Sequence, residues 1–160
     1  MSSGETTLAH DLKVLQQNAQ LADVGFMYIH AEHCEVPEPE PPTFQLEVSI
    51  PKQGEIPVDE PMRARIAIRV EVFLPIGKLV AEPFAEFTLD RSHMESLNHA
   101  SLTALANERV VYDLLPFARE ALSDLSSRVF KTQLIMPYFG RGELVFPIPS
   151  QGELDGIGKN

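Results

Sequence analysis

The sequence predicts an α+β chain, in which a four-stranded antiparallel sheet is followed by a long kinked helix. Residues 43–50 and 62–74 alternate apolar and polar side chains, the period of a strand with one buried face. A short turn, Pro75-Ile76-Gly77, separates 62–74 from the next apolar run, so those two strands form an antiparallel hairpin. Over 107–138 the period changes. Val111, Leu114, Ala118, Leu122, Leu125 and Val129 recur at helical spacing instead.

Taken in order, residues 1–7 are polar and expected to be loose. Leu8–Leu21 predicts a short amphipathic helix, with Leu8, Leu12, Leu15, Ala19 and Leu21 on its apolar side. Asp23–Glu35 predicts the first strand. Val24, Phe26, Tyr28 and Ile29 put apolar groups on both of its faces. Val36-Pro37-Glu38-Pro39-Glu40-Pro41-Pro42 is a stiff, acidic crossover, too long for a tight hairpin. The next strand therefore need not pair with the first. In Thr43–Ile50, Phe44, Leu46, Val48 and Ile50 face one way and the polar residues the other. In Met62–Leu74 the even-numbered residues face the core, while Arg63, Arg65, Arg69 and Glu71 face out. Leu79–Leu89 returns as the fourth strand.

Ser92-His93-Met94-Glu95 has capping-box spacing and opens a short helix reaching Ala106. Asn107 is the expected N-cap of the long helix, and Glu108 suits its first turn. Pro116 lacks an amide donor and should kink that helix. Val110, Leu115 and Phe117 widen the apolar stripe, as on a helix gripped from two sides. Gly140-Arg141-Gly142 then breaks regular structure, and a short apolar piece spans Leu144–Ile148. The division that results is a flexible N-terminus with its helix (1–22), one main domain (23–148) and a loose tail (149–160).

The chain has 160 residues, enough for one real core. Its 13 basic and 23 acidic residues give a formal net charge of -10, which argues against nucleic acid as a partner. One cysteine, Cys34, excludes an internal disulfide and a multi-cysteine zinc site. No apolar run approaches the ~20 residues of a membrane span. The first residues lack a basic and an apolar region, so no signal peptide and a cytoplasmic location are expected.

Little here predicts catalysis. No Gly-rich phosphate loop and no G-x-S-x-G elbow occur. His30 and His33 stand three apart on a strand and so point to opposite faces, which argues against a shared metal. Arg119-Glu120 reads as a helix-surface or interface charge pair before it reads as a catalytic one. The proline-rich crossover reads as a rigid connection before it reads as a ligand for a polyproline-binding domain. A small enzyme using His30, His33 or Glu120 is the reading from another class. No cofactor is expected.

At Leu115-Pro116-Phe117-Ala118-Arg119-Glu120 the chain resembles the SecB family of export chaperones. The similarity continues through Ser127-Arg128, Phe130, Gln133, Leu134 and Pro137, and the order of strands before the helix also fits. The resemblance implies a homotetramer, a dimer of dimers with its long helices between the sheets. It implies a holdase that binds unfolded polypeptides in apolar grooves without ATP. Carried over by position, Val36 and Pro37 match the crossover wall of the groove, Leu46 and Val48 its strand, and Leu134, Met136 and Tyr138 the segment beyond the helix. Leu134, Met136 and Tyr138, at i, i+2 and i+4, are expected to form one apolar row. Leu115, Phe117, Arg119, Glu120 and Leu122 are expected at the oligomer interface. Gly140-Arg141-Gly142 stands where export members have a last helix, and those members lack an N-terminal helix like Leu8–Leu21. Both features look more like solitary SecB-like chaperones, some of which serve toxin–antitoxin pairs. Of the acidic surface that docks the SecA motor, Glu35 matches, while the fourth-strand acidic position falls near Val80, with Glu82 shifted from it. SecA and an antitoxin are thus the two further partners the resemblance names.

Overall fold

A computed structural model describes residues 2–38, 40–52 and 54–150. The order is α1 (Ser3–Asn18), β1 (Gln20–His33), β2 (Thr43–Ser49), β3 (Met62–Leu74), β4 (Gly77–Leu89), a 3-10 segment (Arg91–Ser96), α2 (His99–Leu105), a π-helical turn (Ala106–Val110) and α3 (Val111–Phe130). The strands form one antiparallel sheet in the order β1-β4-β3-β2. The α+β architecture expected from the sequence is therefore present, including the hairpin and the crossover that separates β1 from β2.

One face of the sheet makes the core. Ile66, Ile68 and Val70 of β3 and Leu79, Ala81 and Ala85 of β4 are buried with Leu114, Ala118 and Leu122 of α3. The opposite face is mixed: ion pairs lie among apolar groups, with Ala67 and Val80 buried and Arg65 and Arg69 stacked over the rings of Phe84 and Tyr28. Arg65 meets Glu86 at 3.0 Å, and Arg69 bridges Glu71 at 2.8 Å and Glu82 at 3.1 Å. The hydrogen bond that Arg69 donates to Glu71, against partial desolvation and with help from Glu82, holds the Arg69 guanidinium above its ordinary pKa.

Several boundaries differ from the sequence reading. Residues 3–7, expected to be loose, are the first turns of α1, which a Ser2/Glu5 capping box starts. The helix ends at Asn18, so Leu21 belongs to β1 and is exposed. Ser92 and Glu95 do not cap an α-helix: Asp90 accepts the Ser92 amide and caps only the 3-10 segment. The Asp90 carboxyl is lowered by that backbone bond first. The true cap is Asn98, which exchanges hydrogen bonds of 2.9 and 3.1 Å with Ser101 and ties α2 to Asp11 of α1.

Asn107 is not an N-cap either. It lies in the π turn that joins α2 to α3, so the helical path runs unbroken from His99 to Phe130. Pro116 sits inside α3 without ending it. Its ring is on the exposed side, where water can take the carbonyl that the missing N–H leaves. α3 stops at Lys131, which adopts a left-handed conformation at φ 58°. Of the expected tail 149–160, only 149 and 150 are among the described residues, and Pro39 of the crossover is also outside them.

Candidate polypeptide-binding surface

After Lys131 the chain turns back and runs along α3 without regular secondary structure. What fixes it is a stripe of polar side chains on the helix. Ser126 accepts the Leu134 amide at 2.7 Å and is itself fully buried. Arg119 donates to the carbonyls of Met136 and Pro137, each at 3.3 Å. Tyr112 accepts the Gly142 amide at 2.8 Å and donates to the Leu144 carbonyl at 3.0 Å. Asn107 accepts the Phe146 amide and donates to its carbonyl, both at 2.8 Å. Positions 126, 119 and 112 are two helical turns apart, so they share a face. The π turn adds residues between 112 and 107 and brings Asn107 onto the same stripe. Every bond in this ladder goes to backbone. The stripe thus holds a chain without reading its sequence.

Apolar contacts close the other side. Phe139 stands edge-on to Phe44 of β2, with ring centres 5.2 Å apart. Leu46 and Val48 of β2, and Leu134, Leu144 and Phe146 of the returning segment, are half-buried against the core. The crossover begins beside the β3–β4 turn, where the Cys34 and Val36 amides donate to the carbonyls of Ile76 and Pro75. Val36 is half-buried there and Pro37 is exposed.

Leu134, Met136 and Tyr138 do not form one row. Leu134 is half-buried, Met136 is 2% exposed within the core, and Tyr138 is 82% exposed with the Arg119 guanidinium 4.0 Å above its ring. The equal-facing rule needs a regular strand. Arg119 instead pulls two successive carbonyls toward the helix, which breaks the alternation. The residues carried over to an oligomer interface also divide. Leu115 and Leu122 are buried in this chain's own core, leaving them no surface to offer in this conformation. Phe117 is 44% exposed, Glu120 is exposed, and Arg119 serves the returning segment.

β1 carries a second apolar surface that the helix-centred reading missed. Leu21, Phe26, Met27, Tyr28 and Ile29 are exposed, the first at 58%. The ladder residues Asn107, Tyr112 and Ser126 were missed as well. Part of their signal, Tyr112, Arg119 and Ser126 at two-turn spacing on one helix face, is in the sequence but has meaning only once a backbone lies against it.

The histidines have separate partners. His30 bonds Glu32 at 2.9 Å, which holds that carboxyl below its usual range against desolvation, while His33 bonds the Val129 carbonyl at 2.9 Å and packs on Phe130. Among the described residues, no three His, Cys, Asp or Glu side chains come together as metal ligands, and no helix is long and apolar enough to cross a membrane.

No protein-family model matches the chain, and no curated protein matches its sequence. Solved structures do match. The Mycobacterium tuberculosis Rv1957 SecB-like chaperone, in complex with a ChAD peptide from the Rv1956 HigA1 antitoxin, is similar at a TM-score of 0.54 and 21% identity, over 82% of this chain and 98% of that one. A protein of unknown function from Streptococcus agalactiae is similar at a TM-score of 0.47 and 6% identity, over 75% and 97%. The likeness to the M. tuberculosis protein gives the chain, a four-stranded antiparallel sheet with a long closing helix, a SecB-like fold.

Proposed function

We propose that this protein is an ATP-independent holdase that binds non-native polypeptide segments along α3 and β2. The observation that carries the reading is the ladder of backbone-directed hydrogen bonds beside half-buried apolar side chains. Backbone bonds accept any sequence, and apolar contact selects segments that a folded protein would hide. The SecB-like fold supports the same reading, and no step in it requires an enzyme, a cofactor or a nucleotide. Several weakly bound segments on one client raise its overall affinity by acting together. The homotetramer, a dimer of dimers, belongs to this proposal. The apolar surface of β1 and the exposed Phe117 support it. A cytoplasmic location is a further part of the proposal.

Aggregation of a thermally unfolded client, followed by turbidity, tests the mechanism. The expected result is equal suppression with and without ATP, and strict dependence on added nucleotide overturns it. Light scattering is expected to give a tetramer, and a stable monomer at micromolar concentration refutes the assembly. A second reading, a dedicated chaperone of one antitoxin, is favoured by the antitoxin peptide held by the M. tuberculosis protein. Suppression of several unrelated clients with similar potency would exclude it.

A further inference from the structure

The ladder along α3 has two unlike ends. Ser126 and Arg119 hold residues that have just left the helix, where chain connectivity already keeps them near. Tyr112 and Asn107 hold residues 142–146, which are 30 to 39 positions away in the chain. These two side chains make four hydrogen bonds to the backbone of Gly142, Leu144 and Phe146, every second residue of the segment. Residues 141–143 are a turn with Gly142 at φ 85°, which Tyr112 clasps, whereas Phe146, beyond the turn, presents both its amide and its carbonyl to Asn107, as a residue of an extended chain does. The Asn107 amide supplies both a donor and an acceptor to Phe146, so it satisfies the residue completely. A π turn, a form that recurs at functional sites, places Asn107 there.

The segment itself is lightly held. Leu144 and Phe146 are half-buried, while Val145 and Ile148 are exposed, at 61% and 41%. Beyond the turn it offers the site a short irregular backbone, with the Phe146 side chain packed against the core. Any unfolded polypeptide offers such a backbone. Few buried contacts and exposed flanks make local release of this segment inexpensive relative to global unfolding.

We propose that residues 142–148 occupy the polypeptide site as an internal cover, that Asn107 is the backbone-reading residue of that site, and that an extended client segment displaces 142–148 from it. This rests on the chaperone reading above. Occupancy by the chain's own segment covers apolar surface when no client is present. It lowers apparent client affinity by the fraction of molecules in which the site is closed.

The test uses the full chain and, as probe, a reduced and carboxymethylated polypeptide that stays unfolded in buffer. Amide hydrogen exchange of the wild type needs no variant. Bound probe is expected to speed exchange at Gly142 and Phe146 by about tenfold, the scale of one or two lost hydrogen bonds. Phe146→Asp should raise probe affinity severalfold, because it weakens the competitor. Asn107→Ala in the Phe146→Asp background, where the competitor is already released, should then lower affinity about tenfold. Probe bound while Gly142 and Phe146 exchange as slowly as before overturns the displacement and leaves the chaperone reading standing. Unchanged affinity on adding Asn107→Ala overturns the backbone-reading role. Absence of probe binding to both wild type and Phe146→Asp overturns the chaperone reading and this proposal together.

Discussion

β1 and β2 are the two edges of one sheet, and the chain treats them in opposite ways. β2 is 7 residues long, its alternate side chains are half-buried, and the segment returning from α3 lies beside it through Phe139. β1 is 14 residues long and mostly exposed on both faces, with large apolar side chains among the exposed ones. An uncovered apolar edge strand is a template for pairing with another chain, and proteins that remain soluble cover or charge it. The cover on the β2 side comes from the same chain and is fastened by side chains of α3. Among the described residues, nothing equivalent covers the apolar side chains of β1. On the proposed function, polypeptide capture belongs to the first edge, whose cover would be displaced, and self-association to the second.

The largest expected effect breaks the β2 side. Met136→Glu places an unpaired carboxylate where the side chain is 2% exposed. Thermal and denaturant melts should show a loss of about 3–5 kcal/mol, the range for an uncompensated buried charge. A variant that melts like the wild type would mean that Met136 is client surface after all. Next in size is the attachment of β1. A Cβ on Gly77 would overlap the Glu32 carbonyl of β1 and come within 2.6 Å of the Phe130 ring. Gly77→Ala should cost about 1–3 kcal/mol, as overpacking does. An unchanged melt would show that β1 can leave β4 without loss. The smallest effect on folding is also the sharpest test of the comparison. Ile29→Lys, at an exposed position of β1, should move stability by less than about 0.5 kcal/mol. It should nevertheless reduce the mass seen by light scattering. A large drop in melting temperature with unchanged mass would make β1 core rather than interface.

Strand periodicity was legible because a period of two survives any tertiary context: β3 begins and ends where the alternation of Met62–Leu74 does. Helix starts were less legible. Ser92-x-x-Glu95 has the right letters, but Asp90 and Asn98 hold the positions from which the backbone can be capped. Asn107 was singled out for the wrong task, since a cap and a backbone clamp need the same amide group and differ only in what lies opposite. Of the expected site residues, Leu46, Val48 and Leu134 are half-buried against the core. Met136 is buried and Tyr138 exposed because the segment does not alternate as a strand where Arg119 holds two successive carbonyls.

By itself, the sequence determined the α+β class, the β3–β4 hairpin, the separation of β1 from β2 by a proline-rich crossover, and the acidic surface. Each depends on local periods, turn chemistry or composition, which need no knowledge of distant residues. The tertiary structure alone decided which apolar residues are spent on the core, as Leu115, Leu122 and Met136 are, and which stay exposed, as those of β1 do. It also decided that Ser126, Arg119, Tyr112 and Asn107 act as one device. The physical reason is that hydrophobicity and hydrogen-bonding capacity belong to a residue, whereas burial and pairing belong to what the fold brings against it.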